Sequence, residues 1–169
     1  TELNVGGLWR SAHAFGAAYI FCIAPRFHRI HRRQASDTTH AAANIPYYCY
    51  GTLEEFLAAL PHGAALIAVE QTPSARPLEA FAHPRCAIYL LGAEDTGIPE
   101  NILQRCNHVI SINTPVCLNV ATAGSVVLYD REAKRFGARD THGTSTAMIY
   151  ARRCRYACHN GLYAPMRKA

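Results

Sequence analysis

Short apolar runs that stop abruptly at polar or turn-forming residues recur along this chain. They constrain its fold more than any other feature. Ala17–Ile23 (AAYIFCI), Ala65–Val69 (ALIAV) and Ala87–Leu91 (AIYLL) carry no charge, and 108–112 (HVISI) is a shorter mixed run. A strand with one face in water alternates polar and apolar residues. A strand without alternation is buried on both faces, as in a parallel sheet covered by helices. Amphipathic stretches lie between the runs. Residues 53–60 set Leu53, Phe56, Leu57 and Leu60 at helical spacing. Residues 8–15 predict a helix after a Gly6-Gly7 turn, 99–106 a helix with proline at its first turn, and 119–136 a long helix. The alternation predicts an α/β domain with a mostly parallel sheet and helices on both faces. Ligands of such sheets collect beyond the carboxyl ends of the strands. That singles out three loops: the one after Val69, 92–99 and 112–119.

The 169 residues suffice for one domain with its own core, and 50% hydrophobic with 17% charged residues is a globular balance. No stretch approaches the roughly 18 apolar residues of a membrane span. The opening Thr1-Glu2-Leu3-Asn4 lacks the basic flank and cleavage site of a signal peptide. Seven cysteines, an odd number at irregular spacing, suit reduced thiols better than a disulfide framework. Both features point to the cytoplasm. A net charge of +5 is compatible with a polyanionic partner but does not establish one. From Gly137 on, Arg, His, Ser, Thr and Gly dominate. The expected organisation is therefore a domain over 1–136 and a weakly structured extension over 137–169, with at most one short helix near 145–155. Cys154, Cys158 and His159 have no second pair at ligand spacing, so no metal is expected.

Three constellations carry chemistry. The first runs from Asn4 through Gly6 and Arg10 to Gly16. On the reading above, Arg10 lies in the first turns of a helix, where its charge opposes the dipole. Anion binding would explain such a placement, and a solvated surface arginine is the plain alternative. The second, Leu91-Gly92-Ala93-Glu94-Asp95-Thr96-Gly97, follows an apolar run directly. It is neither a dinucleotide fingerprint nor a P-loop, and alone it is a strand-to-loop turn. The third, Ile112 to Arg131, contains Cys117-Leu118-Asn119-Val120 and then a helix rich in Ala, Gly and Ser. Asn119 is a natural N-cap.

In this order and separation the three constellations resemble the TrmH (SpoU) branch of the SPOUT methyltransferases. The family's first motif, N-x-G-x-x-x-R-x-A-x-x-F-G, is met by Asn4, Gly6, Arg10, Ala12, Phe15 and Gly16. Its second, G-x-E-x-x-G, is met by Gly92, Glu94 and Gly97. Its third, S-L-N-V before a small-residue helix, is met by Leu118, Asn119 and Val120, with Cys117 in place of the serine. A thiol is a poorer hydrogen-bond donor than a hydroxyl. The family also carries a strand ahead of the motif-one asparagine. Only Thr1-Glu2-Leu3 stand there, so either the sequence is shortened or the sheet lacks an edge strand.

The resemblance implies a SPOUT-type fold with a C-terminal trefoil knot and transfer of methyl from S-adenosyl-L-methionine to a ribose 2′-hydroxyl of tRNA or rRNA. The implied cofactor site comprises Val69, Glu70, Leu91, Gly92, Glu94, Gly97, Ile112, Cys117, Leu118 and Asn119. The implied catalytic group is Arg10, oriented by Asn4, with Glu94 and Asn119 shaping the pocket. Arginine stays protonated in proteins, so a grip on phosphate or on a developing alkoxide suits Arg10 better than a role as base. The basic run after the first apolar strand, Arg26, His28, Arg29, His31, Arg32 and Arg33, is the expected RNA contact. The family also pairs as homodimers, and Ala121, Ala123, Gly124 and Ser125 would allow close helix approach. Two rival readings are a relative that methylates a base nitrogen and an RNA-binding module without catalysis.

Overall fold

The computed structural model describes residues 2–23, 44–137 and 146–151. Arg26, Arg29, Arg32 and Arg33, and with them Cys154, Cys158 and His159, lie outside the described residues. In chain order the elements are α1 (Glu2–Ala14), β1 (Ala17–Ile23), β2 (Tyr47–Tyr50), α2 (Leu53–Ala58), β3 (Ala65–Val69) and β4 (Arg76–Pro77). A 3-10 turn (Leu78–Ala80), β5 (Ala87–Leu91), α3 (Glu100–Leu103), β6 (His108–Ser111), α4 (Val120–Gly137) and β7 (Thr146–Ala151) complete them.

The strands form one seven-stranded sheet in the order β2-β1-β7-β5-β3-β6-β4. Every pairing is parallel. Each central strand feeds both faces, which is why its sequence does not alternate. On one face Ile20, Cys22, Ile67, Tyr89, Leu91 and Ile110 pack with Leu8, Trp9 and Ala12 of α1 and with Val127 and Leu128 of α4. On the other, Tyr19, Phe21, Leu66, Ala68, Ile88 and Leu90 pack with Phe56 of α2 and with Ile98. Phe21 is central to this second layer, in ring contact with Tyr19, Tyr48, Tyr50 and Phe56. Truncating a phenylalanine so placed costs about 3–5 kcal/mol.

α2 starts at a capping box. Thr52 Oγ1 accepts from the Glu55 N–H (3.1 Å), and the Glu55 carboxylate accepts from the Thr52 N–H. α4 starts at Asn119, whose Oδ1 accepts from the N–H groups of Ala121 (2.9 Å) and Thr122 (3.4 Å). The N-cap expectation therefore holds.

Three expectations need correction. The Gly6-Gly7 pair is no turn: α1 runs continuously from Glu2 to Ala14. A Cβ on Gly7 would lie 3.4 Å from that of Ala121, so Gly7 lets α1 and α4 approach closely. Arg10 consequently sits deep in α1 rather than in its first turn, and the helix-dipole argument for it lapses. Lastly, residues 146–151 form neither a loose extension nor a helix. They form β7, paired with β1 on one side and β5 on the other, inside the sheet. The expectation of a missing edge strand meets a sheet whose tail-derived strand is central. Among the described residues no strand precedes Asn4, and no helix is long and apolar enough to cross a membrane.

Candidate functional site

β3, β5 and β6 lie side by side and end together at Val69, Leu91 and Ser111. The chain leaves each through an irregular loop. These three loops, with the start of α4, enclose a cleft of about 440 Å³, the size of a small-molecule site. All ten residues assigned to a cofactor by resemblance line it: Val69, Glu70, Leu91, Gly92, Glu94, Gly97, Ile112, Cys117, Leu118 and Asn119. The lining also includes Gln71, Asp95 and Thr114, to which the resemblance assigns no role. Their signal was adjacency in the same three loops. Glu70, Glu94 and Asp95 make the lining acidic, and among the described residues it contains no Lys or Arg.

At the rim the three motifs meet in a ring of side chains. Asn4 Nδ2 donates to Glu94 Oε1 (2.9 Å), Asn119 Nδ2 donates to Asn4 Oδ1 (2.9 Å), and Asn119 Nδ2 also approaches Glu94 Oε1 (3.0 Å). Asn4 is buried, so its amide needs these partners. Asn119 thus acts twice: its oxygen caps α4 while its nitrogen closes the ring.

The loop between Gly92 and Ile98 folds back on itself. Gly97 N–H donates to Ala93 O (2.8 Å) and Ala93 N–H to Gly97 O (3.3 Å). Gly97 has φ +61°, a left-handed conformation that glycine adopts freely. A Cβ on Gly92 would stand 2.7 Å from the carbonyl carbon of Gly97. Both glycines serve the fold of this loop first. Cys117 is exposed, and its thiol makes one long contact, 4.0 Å to Gln71 Oε1, in keeping with a weak donor.

Arg10 is not among the cleft-lining residues. Asn4 and Arg10 are six residues apart on α1, which turns their side chains about 120° from one another. Asn4 bonds Glu94 and Asn119 through its amide, and among the described residues no hydrogen bond joins it to Arg10. Arg10 Nε is buried without a hydrogen-bond partner among the described residues. Ala121 and Ser125 are engaged within the chain: Gly7 approaches Ala121, and Ser11 Oγ lies 2.7 Å from Ser125 Oγ. The small-residue face of α4 therefore packs on α1 of its own chain. The neighbouring surface carries Tyr129, 63% exposed, in edge contact with Phe15.

The sequence model of the SpoU rRNA Methylase family matches residues 1–129. A mouse (Mus musculus) protein, tRNA (guanosine(18)-2′-O)-methyltransferase TARBP1, is 27% identical over 135 residues. That match covers 75% of this chain but 8% of the mouse protein. Among solved structures, the TrmH/SpoU tRNA modifying enzyme of A. aeolicus superposes with a TM-score of 0.70 at 16% identity, covering 82% of this chain and 72% of that one. An AdoMet-bound rRNA methyltransferase of Sinorhizobium meliloti superposes with a TM-score of 0.69 at 18% identity, covering 79% and 52%.

Proposed function

The chain belongs to the SpoU rRNA methylase family, and from that premise we propose that it is an S-adenosyl-L-methionine-dependent RNA methyltransferase acting on a ribose 2′-hydroxyl of tRNA or rRNA. The observation that carries this reading is the ring of Asn4, Glu94 and Asn119, which joins all three motifs at the mouth of one cleft. The names of the mouse and S. meliloti proteins support the ribose target and the cofactor respectively.

The cleft fits this cofactor chemically. Three carboxylates, with no Lys or Arg beside them among the described residues, favour a ligand bearing positive charge. Leu91, Leu118 and Val120 offer apolar wall to a heterocycle. Backbone groups of the loops at 69–71, 91–97 and 112–118 would hold it. S-adenosylmethionine, when bound, supplies a methyl group on a cationic sulfur. The protein's own task is to position the ribose oxygen and let its proton leave. Glu94 and Asn119 border that approach.

Arg10 grips the neighbouring RNA phosphate or stabilises the developing alkoxide, and the proton departs through that phosphate or water. Because Arg10 stands outside the cleft of its own chain, the reading includes a homodimer in which Arg10 serves the partner's cleft. Tyr129 of α4, exposed and in edge contact with the half-buried Phe15 just beyond α1, supports such pairing. Arg26, Arg29, Arg32 and Arg33 remain the proposed phosphate contacts of the RNA, and the family's trefoil knot is part of the same reading. The test is calorimetry with S-adenosylmethionine, followed by nucleoside digestion of RNA methylated by the protein. Cofactor binding with a 2′-O-methyl nucleoside is expected. A methylated base removes the ribose assignment, and binding without transfer removes catalysis.

A further inference from the structure

Glu70 is the first residue beyond β3, and three strand ends converge on it. Its own N–H donates to Ile110 O in β6 (3.0 Å). Its Oε2 accepts from the N–H of Ile98, at the far end of the loop that leaves β5 (2.8 Å). Its Oε1 accepts from the N–H of Gln71 (3.1 Å). The same Oε2 occupies the space that side chains at two other positions would need: a Cβ built on Gly92 or on Gly97 would lie 2.8 Å from it in each case. The carboxylate therefore sits in a niche made by two absent side chains, and it binds the backbone of the loop that the two glycines bracket.

Building on the methyltransferase reading, we propose that Glu70 is a positioning residue, acting on the cofactor through the Gly92–Ile98 loop. The loop is held at two places. Glu70 holds its end at Ile98, and the amides of Asn4 and Asn119 hold Glu94 within it. Asp95 and Gly97 lie between these anchors and Gly92 and Ala93 just before them, all four facing the cleft. Without Glu70 the loop keeps its internal Ala93–Gly97 bonds but loses its tie to β3 and β6. Its backbone groups then reach the cleft in many arrangements rather than one, and the cofactor must order them on binding.

The experiment compares cofactor Kd and steady-state constants for the full chain and for Glu70→Gln, Glu70→Ala, Gly97→Ala and the Glu70→Ala/Gly97→Ala double variant. Glu70→Ala is expected to raise the Kd for S-adenosylmethionine about tenfold or more, the loss of a charge-assisted hydrogen bond. The change should fall on cofactor KM more than on kcat. Glu70→Gln preserves shape and one acceptor, so it should recover part of the affinity. It also tests the role if the alanine variant folds poorly. Gly97→Ala should weaken binding strongly in the parent and less in the Glu70→Ala background, where the oxygen it collides with is gone and only the strain of its positive φ remains. Additive effects, or a loss confined to kcat with Kd unchanged, overturn the role of Glu70. Wild-type binding with equal affinity in Glu70→Gln and Glu70→Ala overturns that role alone, whereas a wild-type chain that binds no S-adenosylmethionine removes the methyltransferase reading and the role with it.

Discussion

The side-chain amide nitrogen of Asn119 lies 3.0 Å from Oε1 of Glu94, although the two residues sit in loops that leave different strands. The contact fixes the start of α4 against the β5 loop, and Asn119 Oδ1 caps α4 at the same time. Substitutions at Asn119 can separate the two tasks. Asn119→Ala removes cap and contact together. It should cost about 1 kcal/mol of stability, a fall of roughly 2–4 °C in Tm for a chain of this size, along with most methyl transfer. Asn119→Asp supplies an equally good cap but faces Glu94 with a like charge and no donor. It should regain much of the lost Tm and little of the activity. Recovery of activity alongside Tm would show that only the cap matters.

Gly92 is closed to any side chain by the protein itself. The nearest atoms to a Cβ there belong to Gly97 and Glu70. Gly92→Ala should therefore distort the loop and abolish S-adenosylmethionine binding in calorimetry, as Gly92→Val should. Gly16 provides the contrast. It has φ +68° but nothing within 4 Å of a Cβ. Gly16→Ala should cost roughly 1 kcal/mol through backbone strain alone and leave cofactor affinity as it was. Equal affinity in Gly92→Ala and the parent would move the cofactor away from this loop.

The apolar runs at 17–23, 65–69 and 87–91 announced their strands to the residue, because burial on both faces leaves no place for a polar side chain. The cleft was legible for the same reason: ligand loops follow the carboxyl ends of such strands. β7 was not. Its run from Thr146 to Ala151 is short and set among Arg, His and Ser residues, and its only local signal is Thr, Ile and Tyr propensity. Its place between β1 and β5 depends on partners more than 50 residues away, which no local pattern encodes. The start of α1 is not legible locally, because two adjacent glycines imply a turn in isolation, whereas here Gly7 answers to Ala121 across the helix pair. Glu70 was visible in sequence as a residue after a strand, but its hold on Ile98 was not.

A buried relay under α4 predicts a pH dependence of stability. Arg131 Nη1 donates to Tyr89 Oη (3.2 Å), Tyr89 O–H to His83 Nδ1 (2.6 Å), and His83 Nε2–H to Asp130 Oδ2 (2.8 Å), which also accepts from Lys134 Nζ (2.6 Å). This assignment gives the Tyr89 hydroxyl and both ring nitrogens of His83 a partner and requires a neutral imidazole, while Arg131 Nε is buried without a partner among the described residues. Burial pushes His83 below its ordinary value of 6.5 against the pull of Asp130, and burial pushes the Tyr89 hydroxyl up to about 12. Below about pH 6.5 the unfolded chain therefore binds more protons at this histidine than the folded chain does, so stability falls as the medium becomes more acidic. Thermal melts should show His83 contributing no pH slope above neutrality and a declining Tm from about pH 6.5 downward. His83→Gln should have a lower Tm at pH 7.5 and a shallower acid slope. An unchanged slope in His83→Gln would place the acid sensitivity elsewhere.

Arg10 poses the sharpest question for the proposed mechanism, because it lies on α1 about 120° around the helix from Asn4 and outside the cleft that Asn4 helps to frame. Arg10 lines no part of its own chain's cleft, and Leu8, Trp9 and Ala12 anchor α1 in the core. A two-fold pair built on α1 and α4 would carry Arg10 to the other subunit, since such an interface uses the same patch twice. The decisive experiment mixes two chains, one carrying Arg10→Ala and the other Gly92→Ala, each expected to be inactive alone. In a mixed dimer the intact cleft of the first chain is served by the intact arginine of the second. Random pairing in equal amounts should then restore on the order of a quarter of parental activity. Arg10→Ala alone should keep cofactor affinity close to the parent, and Arg10→Lys should rescue poorly because a point charge does not reproduce a planar fork. No recovery on mixing, despite mixed dimers detected by mass, would mean that Arg10 acts within its own chain. A monomer by light scattering that still methylates RNA would end the dimer proposal.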